Sequence, residues 1–229
     1  MPSSTVEDYL KSILLRQQSD DQRLVGTGGI AADLGVAPGT VTAMLKTLSS
    51  SGLAVYERYS GVRLTPAGEL LALHVLRRHR LVELFLVRIM KMDWSEVHAE
   101  AEILEHAVTD RLIERIDDLL GYPDVDPHGD PIPSAEGDVI RRDLTSLVDC
   151  LPATPLEVAR LTDQRADFLR LMEHEGLVPG CRLEIAERRP AADALVVRLA
   201  SGRETNLGLR AAEKILVTVQ AAEPATAEA

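Results

Sequence analysis

The hydrophobic period of the chain changes once, and that change limits the fold more than any other feature. Up to about residue 120, apolar residues recur three and four apart, the spacing of amphipathic helices. Residues 121–155, beginning GYPDVDPHGDPIPSAEGD, are rich in Pro, Gly and Asp and read as a linker and domain boundary. Beyond them LEVARLTD, RLEIAERR, ALVVRLAS, TNLGLR and ILVTVQ alternate with period two. Short alternating runs at close spacing predict a small antiparallel barrel. With 229 residues, the chain has room for two small domains or one large one. Aromatic residues are only 3%, so the core must be built from Leu, Val, Ile and Ala.

The helical part has internal order. Residues 5–17 place Val6, Leu10, Ile13 and Leu14 on one face, and residues 19–29 form a polar connection. Residues 30–34 and 40–50 predict two short helices around a turn at Gly35, with Pro38 near the start of the second and Gly52 at its end. Two helices joined in this way form a helix-turn-helix unit. Residues 53–65 alternate on either side of Tyr59-Ser60-Gly61, as in a hairpin. Thr65-Pro66 opens a long helix over residues 66–90, and another is expected over residues 95–119.

Helix, turn, helix, hairpin and helix within about 60 residues predict a winged helix that binds DNA. Its second helix presents Thr40, Thr42, Ala43, Lys46 and Thr47 to the major groove, while Leu34, Val41, Leu45 and Leu48 face inward. The wing offers Arg58, Tyr59 and Arg63 to phosphates or the adjacent groove. The same helices would also suit a protein-interaction module, and Thr40 and Thr42 would also suit capping roles.

A net charge of −11 opposes nucleic-acid binding, but it is unevenly spread. Residues 1–95 carry 11 Lys and Arg against 9 Asp and Glu, whereas the remainder carries 14 against 27. The N-terminal part can approach DNA, and bound cations would offset the acidic remainder. No apolar run is long enough to span a membrane, and MPSSTVEDYL lacks the basic and apolar stretches of a secretion signal. Cys150 and Cys181, far apart and outside any C-x-x-C spacing, fit reduced thiols in a cytoplasmic protein.

The segment from His98 to His106 carries the chemistry. At 100° per residue, Glu102, Glu105 and His106 fall at about +40°, −20° and +80° from His98, so all four share one face. Ala101, Leu104 and Val108 form a separate apolar stripe. On the preceding helix His79 and Glu83 are spaced i, i+4. Each of these residues alone would be an ordinary solvated side chain. Together, three carboxylates and three imidazoles on adjacent helices make a cation site, because uncompensated carboxylates repel one another. An oxygen and nitrogen donor set without thiolate suits Mn²⁺, Fe²⁺, Co²⁺, Ni²⁺ or Zn²⁺. A carboxylate-bridged metalloenzyme is the rival reading, but no His in the chain has a Glu three residues before it. A metal-independent winged-helix regulator that senses an organic ligand is another.

The segments VEDYLKSI, GVAPGTVTAMLKTLSSSGLAVYERYSGVRLTPAGE, RRHRLVELFL, EVHAEAEILEHAVTDRLIERID and DPHGDPIP resemble the DtxR/MntR family of iron- and manganese-dependent regulators. The resemblance covers residues 5 to about 133 well and the remainder more weakly. It implies a winged helix over residues 1–70, a helical dimerisation and metal domain over 71–140, a linker over 141–150, an SH3-like β-barrel over 151–222 and a disordered tail over 223–229. It places the primary metal pattern on Asp8, Glu102, Glu105 and His106 and an ancillary pattern on His79, Glu83 and His98. Gln164 and Asp167 are the nearest candidates for ligands from the SH3-like domain. Iron-type members have Met and Cys where this chain has Asp8 and Glu102, which implies Mn²⁺, with Fe²⁺ as the alternative and Co²⁺, Ni²⁺, Zn²⁺ or Cd²⁺ able to substitute in vitro. Two-domain manganese regulators carry Glu at the place of Lys11, so a closely spaced metal pair of their kind is not expected. The implied protein is a homodimeric repressor of metal-uptake genes, not an enzyme, acting on a palindromic double-stranded operator. Its dimer surface is expected around Leu104, Val108, Leu112 and Ile116.

Overall fold

The computed structural model describes residues 3–20 and 24–220, so the expected tail over 223–229 lies outside the described residues. The chain forms two compact units. The first comprises residues 1–82, 101–122 and 132–139, and the second residues 83–100, 123–131 and 140–229.

The first unit holds α1 (Ser4–Asp20), α2 (Thr27–Leu34), α3 (Pro38–Ser50), β1 (Ala54–Glu57) and β2 (Gly61–Leu64). It also contains the first part of α4 (Pro66–Arg88), the end of α5 (Val97–Leu104) and all of α6 (Asp110–Leu120). Leu10 and Ile13 of α1, Ile30 of α2, Val41, Leu45 and Leu48 of α3, and Val62 of β2 make one buried cluster. The expected inward face of α3 is therefore its packing face. α2 stops at Gly35, which takes φ 61° and returns its N–H to the Ala31 carbonyl. That left-handed conformation costs glycine little. The hairpin pairs Val55 with Arg63 and Glu57 with Gly61, leaving Arg58, Tyr59 and Ser60 as its tip.

The single helix expected over residues 95–119 is two helices. Thr109 stands outside helical geometry at φ −81°, ψ 156°, and its side chain accepts from Leu112 N–H, which starts α6 afresh. The preceding turn is closed by bonds from Ala107 and Val108 N–H to the Leu104 carbonyl, at 2.9 and 3.0 Å. On α6, Ile113 and Ile116 point inward, whereas Leu112 and Leu119 are 48% and 60% exposed. Of the expected dimer face, Ile116 thus belongs to the unit's own core.

The second unit is built on β3 (Thr145–Ser146), β4 (Leu156–Leu161), β5 (Arg182–Arg189), β6 (Ala194–Leu199), β7 (Glu204–Gly208) and β8 (Ile215–Val219). They form a six-stranded sheet in the order β3-β8-β4-β5-β6-β7, with every pairing antiparallel. The five alternating runs of the sequence are β4 to β8. Among the described residues β3 and β7 are the sheet's edges, so backbone pairing does not close the barrel. The unit also contains α7 (Ala166–Glu175), which the sequence reading passed over, and α8 (Leu209–Ala212). Phe168, Leu169 and Met172 of α7 are buried at helical spacing in the same core as Val158, Ile185, Val197 and Val217. No helix among the described residues is long and apolar enough to cross a membrane.

Candidate metal centre and DNA-binding face

In the first unit α1 brings Glu7, Asp8 and Lys11 to the end of α5. The His106 ring lies between two carboxylates, with Nε2 2.8 Å from Asp8 Oδ1 and Nδ1 2.8 Å from Glu7 Oε2. The other Glu7 oxygen accepts from Arg78 Nη2 at 2.8 Å. Donor atoms of Asp8, Glu105 and His106 all lie within 4.8 Å of one another, and Glu105 is fully buried. Burial pulls the His106 pKa down, but the Glu7 hydrogen bond and the charges of Glu105 and Asp8 outweigh it, so the net shift is upward. The Asp8 pKa is also raised, because burial outweighs attraction to His106. A proton on Nε2 and a cation bound there are alternatives at one position.

Glu102 stands beside this triad. With His79 and Glu105 it forms a second group whose donor atoms lie within 4.8 Å of each other. His79 Nδ1 is 2.5 Å from Glu105 Oε2 and 3.6 Å from Glu102 Oε1. Lys11 Nζ donates to Glu102 Oε1 at 2.8 Å and to Glu105 Oε1 at 2.7 Å. Burial pulls the Lys11 pKa down, but Glu105 and Glu102 more than compensate and the net shift is upward. The primary pattern thus has three converging members with Glu102 adjoining through the shared Glu105. His79, expected in the ancillary group, contacts that same glutamate.

The second unit holds a group that the sequence reading missed. Glu83, Asp126 and His128 are all buried, with donor atoms within 4.8 Å of one another. His128 Nδ1 lies 3.9 Å from Glu83 Oε2 and 4.0 Å from Asp126 Oδ2, and makes no hydrogen bond. Its Nε2 faces the Trp94 carbonyl at 3.2 Å, and the ring stacks on Trp94 with centroids 5.5 Å apart. Burial lowers the His128 pKa, yet the facing carboxylates of Asp126 and then Glu83 reverse the sign and raise it. His98 Nδ1 is 3.1 Å from Glu83 Oε1.

The loop is fixed by Asp126 Oδ1, which accepts from the backbone N–H of His128 and Asp130 at 2.8 and 2.9 Å. Gly129 completes it at φ 90°, where a Cβ would collide with the Ala159 carbonyl oxygen. The available signal was the D-x-H spacing inside DPHGDP, two donors in a loop too rich in Pro and Gly to be helical. Gln164 instead donates to Asp130 Oδ2 at 2.7 Å, and Asp167 accepts from Phe168 N–H at 2.9 Å. Asp167 belongs to no converging group of His, Cys, Asp or Glu donors among the described residues.

On the DNA-reading side, Thr40, Ala43, Lys46 and Thr47 are exposed on α3, and Thr42 is half-buried. Thr42 and Thr47 donate their hydroxyl hydrogens to the carbonyls of Pro38 and Ala43, one helical turn back. They therefore offer methyl groups and acceptor lone pairs outward. Neither Thr40 nor Thr42 caps the helix, since the N-cap is Ala37 and has no side-chain bond. At the wing tip Arg58 lies over the Tyr59 ring at 4.7 Å, and Tyr59 and Arg63 are exposed.

A winged helix whose first helix is tied to a buried cluster of oxygen and nitrogen donors defines a cation-responsive DNA-binding protein. Residues 1–62 match the family description "Iron dependent repressor, N-terminal DNA binding domain", residues 65–134 "Iron dependent repressor, metal binding and dimerisation domain", and residues 145–219 the FeoA domain. The HTH-type transcriptional regulator MntR of Lysinibacillus sphaericus (strain C3-41) is 35% identical over 127 residues, covering 56% of this chain and 89% of that protein. A solved manganese-dependent transcriptional repressor in complex with manganese is 40% identical, with a TM-score of 0.86 over 94% of this chain and 100% of its own. The IdeR of T. acidophilum is 30% identical, with a TM-score of 0.74 over 96% of this chain and 100% of its own. The chain belongs to the DtxR/MntR family of metal-dependent transcriptional regulators, in its three-domain form.

Proposed function

We propose that this protein is a manganese-dependent repressor that binds a palindromic operator as a homodimer and restrains metal-uptake genes in the cytoplasm. The convergence of Asp8, Glu105 and His106, with Glu102 adjoining, carries the reading. Its donors are hard oxygens and one imidazole with no sulfur. The ion would supply positive charge shared between α1 and the turn after α5. Asp8 then holds the winged helix to the segment that bears Glu105 and His106, and Glu7 keeps the His106 ring turned toward Asp8. Glu83, His98, Asp126 and His128 would hold a second ion, with His79 one helical turn before Glu83. The buried His128 Nδ1 without a hydrogen bond supports that site.

The test is operator binding by gel shift in EDTA and in anaerobic titrations of Mn²⁺ and Fe²⁺. Binding is expected only with metal. Retention of a full shift in EDTA would overturn the metal dependence, and a response to Fe²⁺ at far lower free concentration would move the assignment to iron.

A further inference from the structure

Lys11 joins two features that a cation site rarely combines. Its ammonium is nearly buried, with the side chain 9% exposed, and it donates to two carboxylates of the same cluster at 2.8 and 2.7 Å. One of them, Glu105, is common to both donor groups of the first unit. We propose that Lys11 is a tethered competitor for the metal, a built-in cation that neutralises Glu102 and Glu105 and thereby sets how much free metal the protein requires. The inference rests on the metal reading above and adds a set-point to it.

The competition follows from distance and charge. Metal–oxygen bonds are about 2.2 Å long, and Lys11 Nζ is 2.7 Å from Glu105 Oε1. Any ion sharing that oxygen lies within about 5 Å of the ammonium. At an effective dielectric near 20, charges of +2 and +1 held at that separation would weaken binding on the order of 10⁵-fold. Withdrawal of the flexible lysine stem into water, where the effective dielectric approaches about 80, relieves most of this and leaves a penalty of about 10- to 100-fold. The same ammonium steadies the cluster in the absence of metal, because it brings a permanent positive charge within hydrogen-bonding distance of both glutamates. A lysine that only braced the fold would show the second effect without the first.

Lys11→Met keeps the stem and removes the charge, and Lys11→Arg keeps the charge. Metal affinity is read from the free-ion electron paramagnetic resonance signal during Mn²⁺ titration, and the thermal midpoint in EDTA from circular dichroism. Lys11→Met is expected to bind Mn²⁺ about 10- to 100-fold tighter while melting several degrees lower in EDTA. Lys11→Arg is expected to stay within about threefold of the wild-type affinity. If Lys11→Met does not fold in EDTA, it is purified with Mn²⁺ and its affinity read by graded chelator competition. Wild-type protein that binds no metal would defeat the proposed function itself. Wild-type binding with Lys11→Met equal or weaker, or with Lys11→Arg as tight as Lys11→Met, would overturn the tethered competitor alone.

Discussion

Glu7 lies outside the expected ligand pattern, yet the geometry gives it a measurable part in metal binding. Its side chain is 11% exposed and serves two donors, His106 Nδ1 and Arg78 Nη2, each at 2.8 Å. Glu7→Gln preserves shape but replaces one acceptor oxygen with an NH₂ group, which must then face one of those donors. A hydrogen bond to a charged group contributes about 1.5–3 kcal/mol. Part of the loss falls on the Arg78 contact and affects the fold with or without metal. The part that falls on His106 weakens the orientation and basicity of Nε2, so about 1–2 kcal/mol should appear in metal affinity, or roughly 5- to 30-fold. The Mn²⁺ dissociation constant and the free Mn²⁺ needed for half-maximal operator binding should rise together by that factor. Glu114→Gln, at an exposed position of α6, should move neither. A folded Glu7→Gln protein with wild-type affinity would refute the claim that this carboxylate orients the ligand.

Trp94 is the chain's sole tryptophan and stacks on His128, so Mn²⁺ titration should quench its fluorescence. Asp126→Asn should remove that quenching while leaving the stack, and undiminished quenching would place the ion elsewhere. Lys46→Ala should weaken DNA binding evenly across operator variants and lower the slope of log affinity against log salt by about 1. A loss confined to particular sequences would instead make Lys46 a base reader. Gly129→Ala should cost about 1–3 kcal/mol, since it combines positive φ with a backbone collision. An unchanged thermal midpoint would show that the loop relaxes freely.

The sequence was most legible where local periodicity and packing agree. Val41, Leu45 and Leu48 read as an inward face and are buried, and all five alternating runs became strands. It misled where a helix wheel was drawn through a turn. Glu105 keeps its bond to the Ala101 carbonyl at 2.9 Å, but α5 ends at Leu104, so extrapolating one ideal helix to His106 and beyond ignored the restart at Thr109. α7 was passed over because strand-like runs on both sides set the expectation for the whole region, although Phe168, Leu169 and Met172 carry a helical stripe. Asp126 and His128 were invisible to any wheel. Their convergence on Glu83 depends on a loop held by Asp126, by Gly129 and by a bond from Leu161 N–H to the His128 carbonyl at 2.9 Å, contacts that no short window contains.

α1 is where the donor cluster and the DNA-reading fold meet. Leu10, Ile13 and Leu14 lock it into the core shared with α2 and α3, while Glu7, Asp8 and Lys11 project toward Glu102, Glu105 and His106. Residues on a helix move as one body, so a change that draws Asp8 toward Glu105 also moves the face that seats α3. The charges indicate what would drive such a change. Four carboxylates, those of Glu7, Asp8, Glu102 and Glu105, face two permanent cations, Lys11 and Arg78. With His79 and His106 both neutral, the cluster is short of two positive charges. Protonating His106 supplies one of them and bridges only Glu7 and Asp8 within hydrogen-bonding distance. A divalent cation supplies both and would draw on Asp8 and Glu105 together, so ion occupancy favours an arrangement of α1 that protonation alone does not fix.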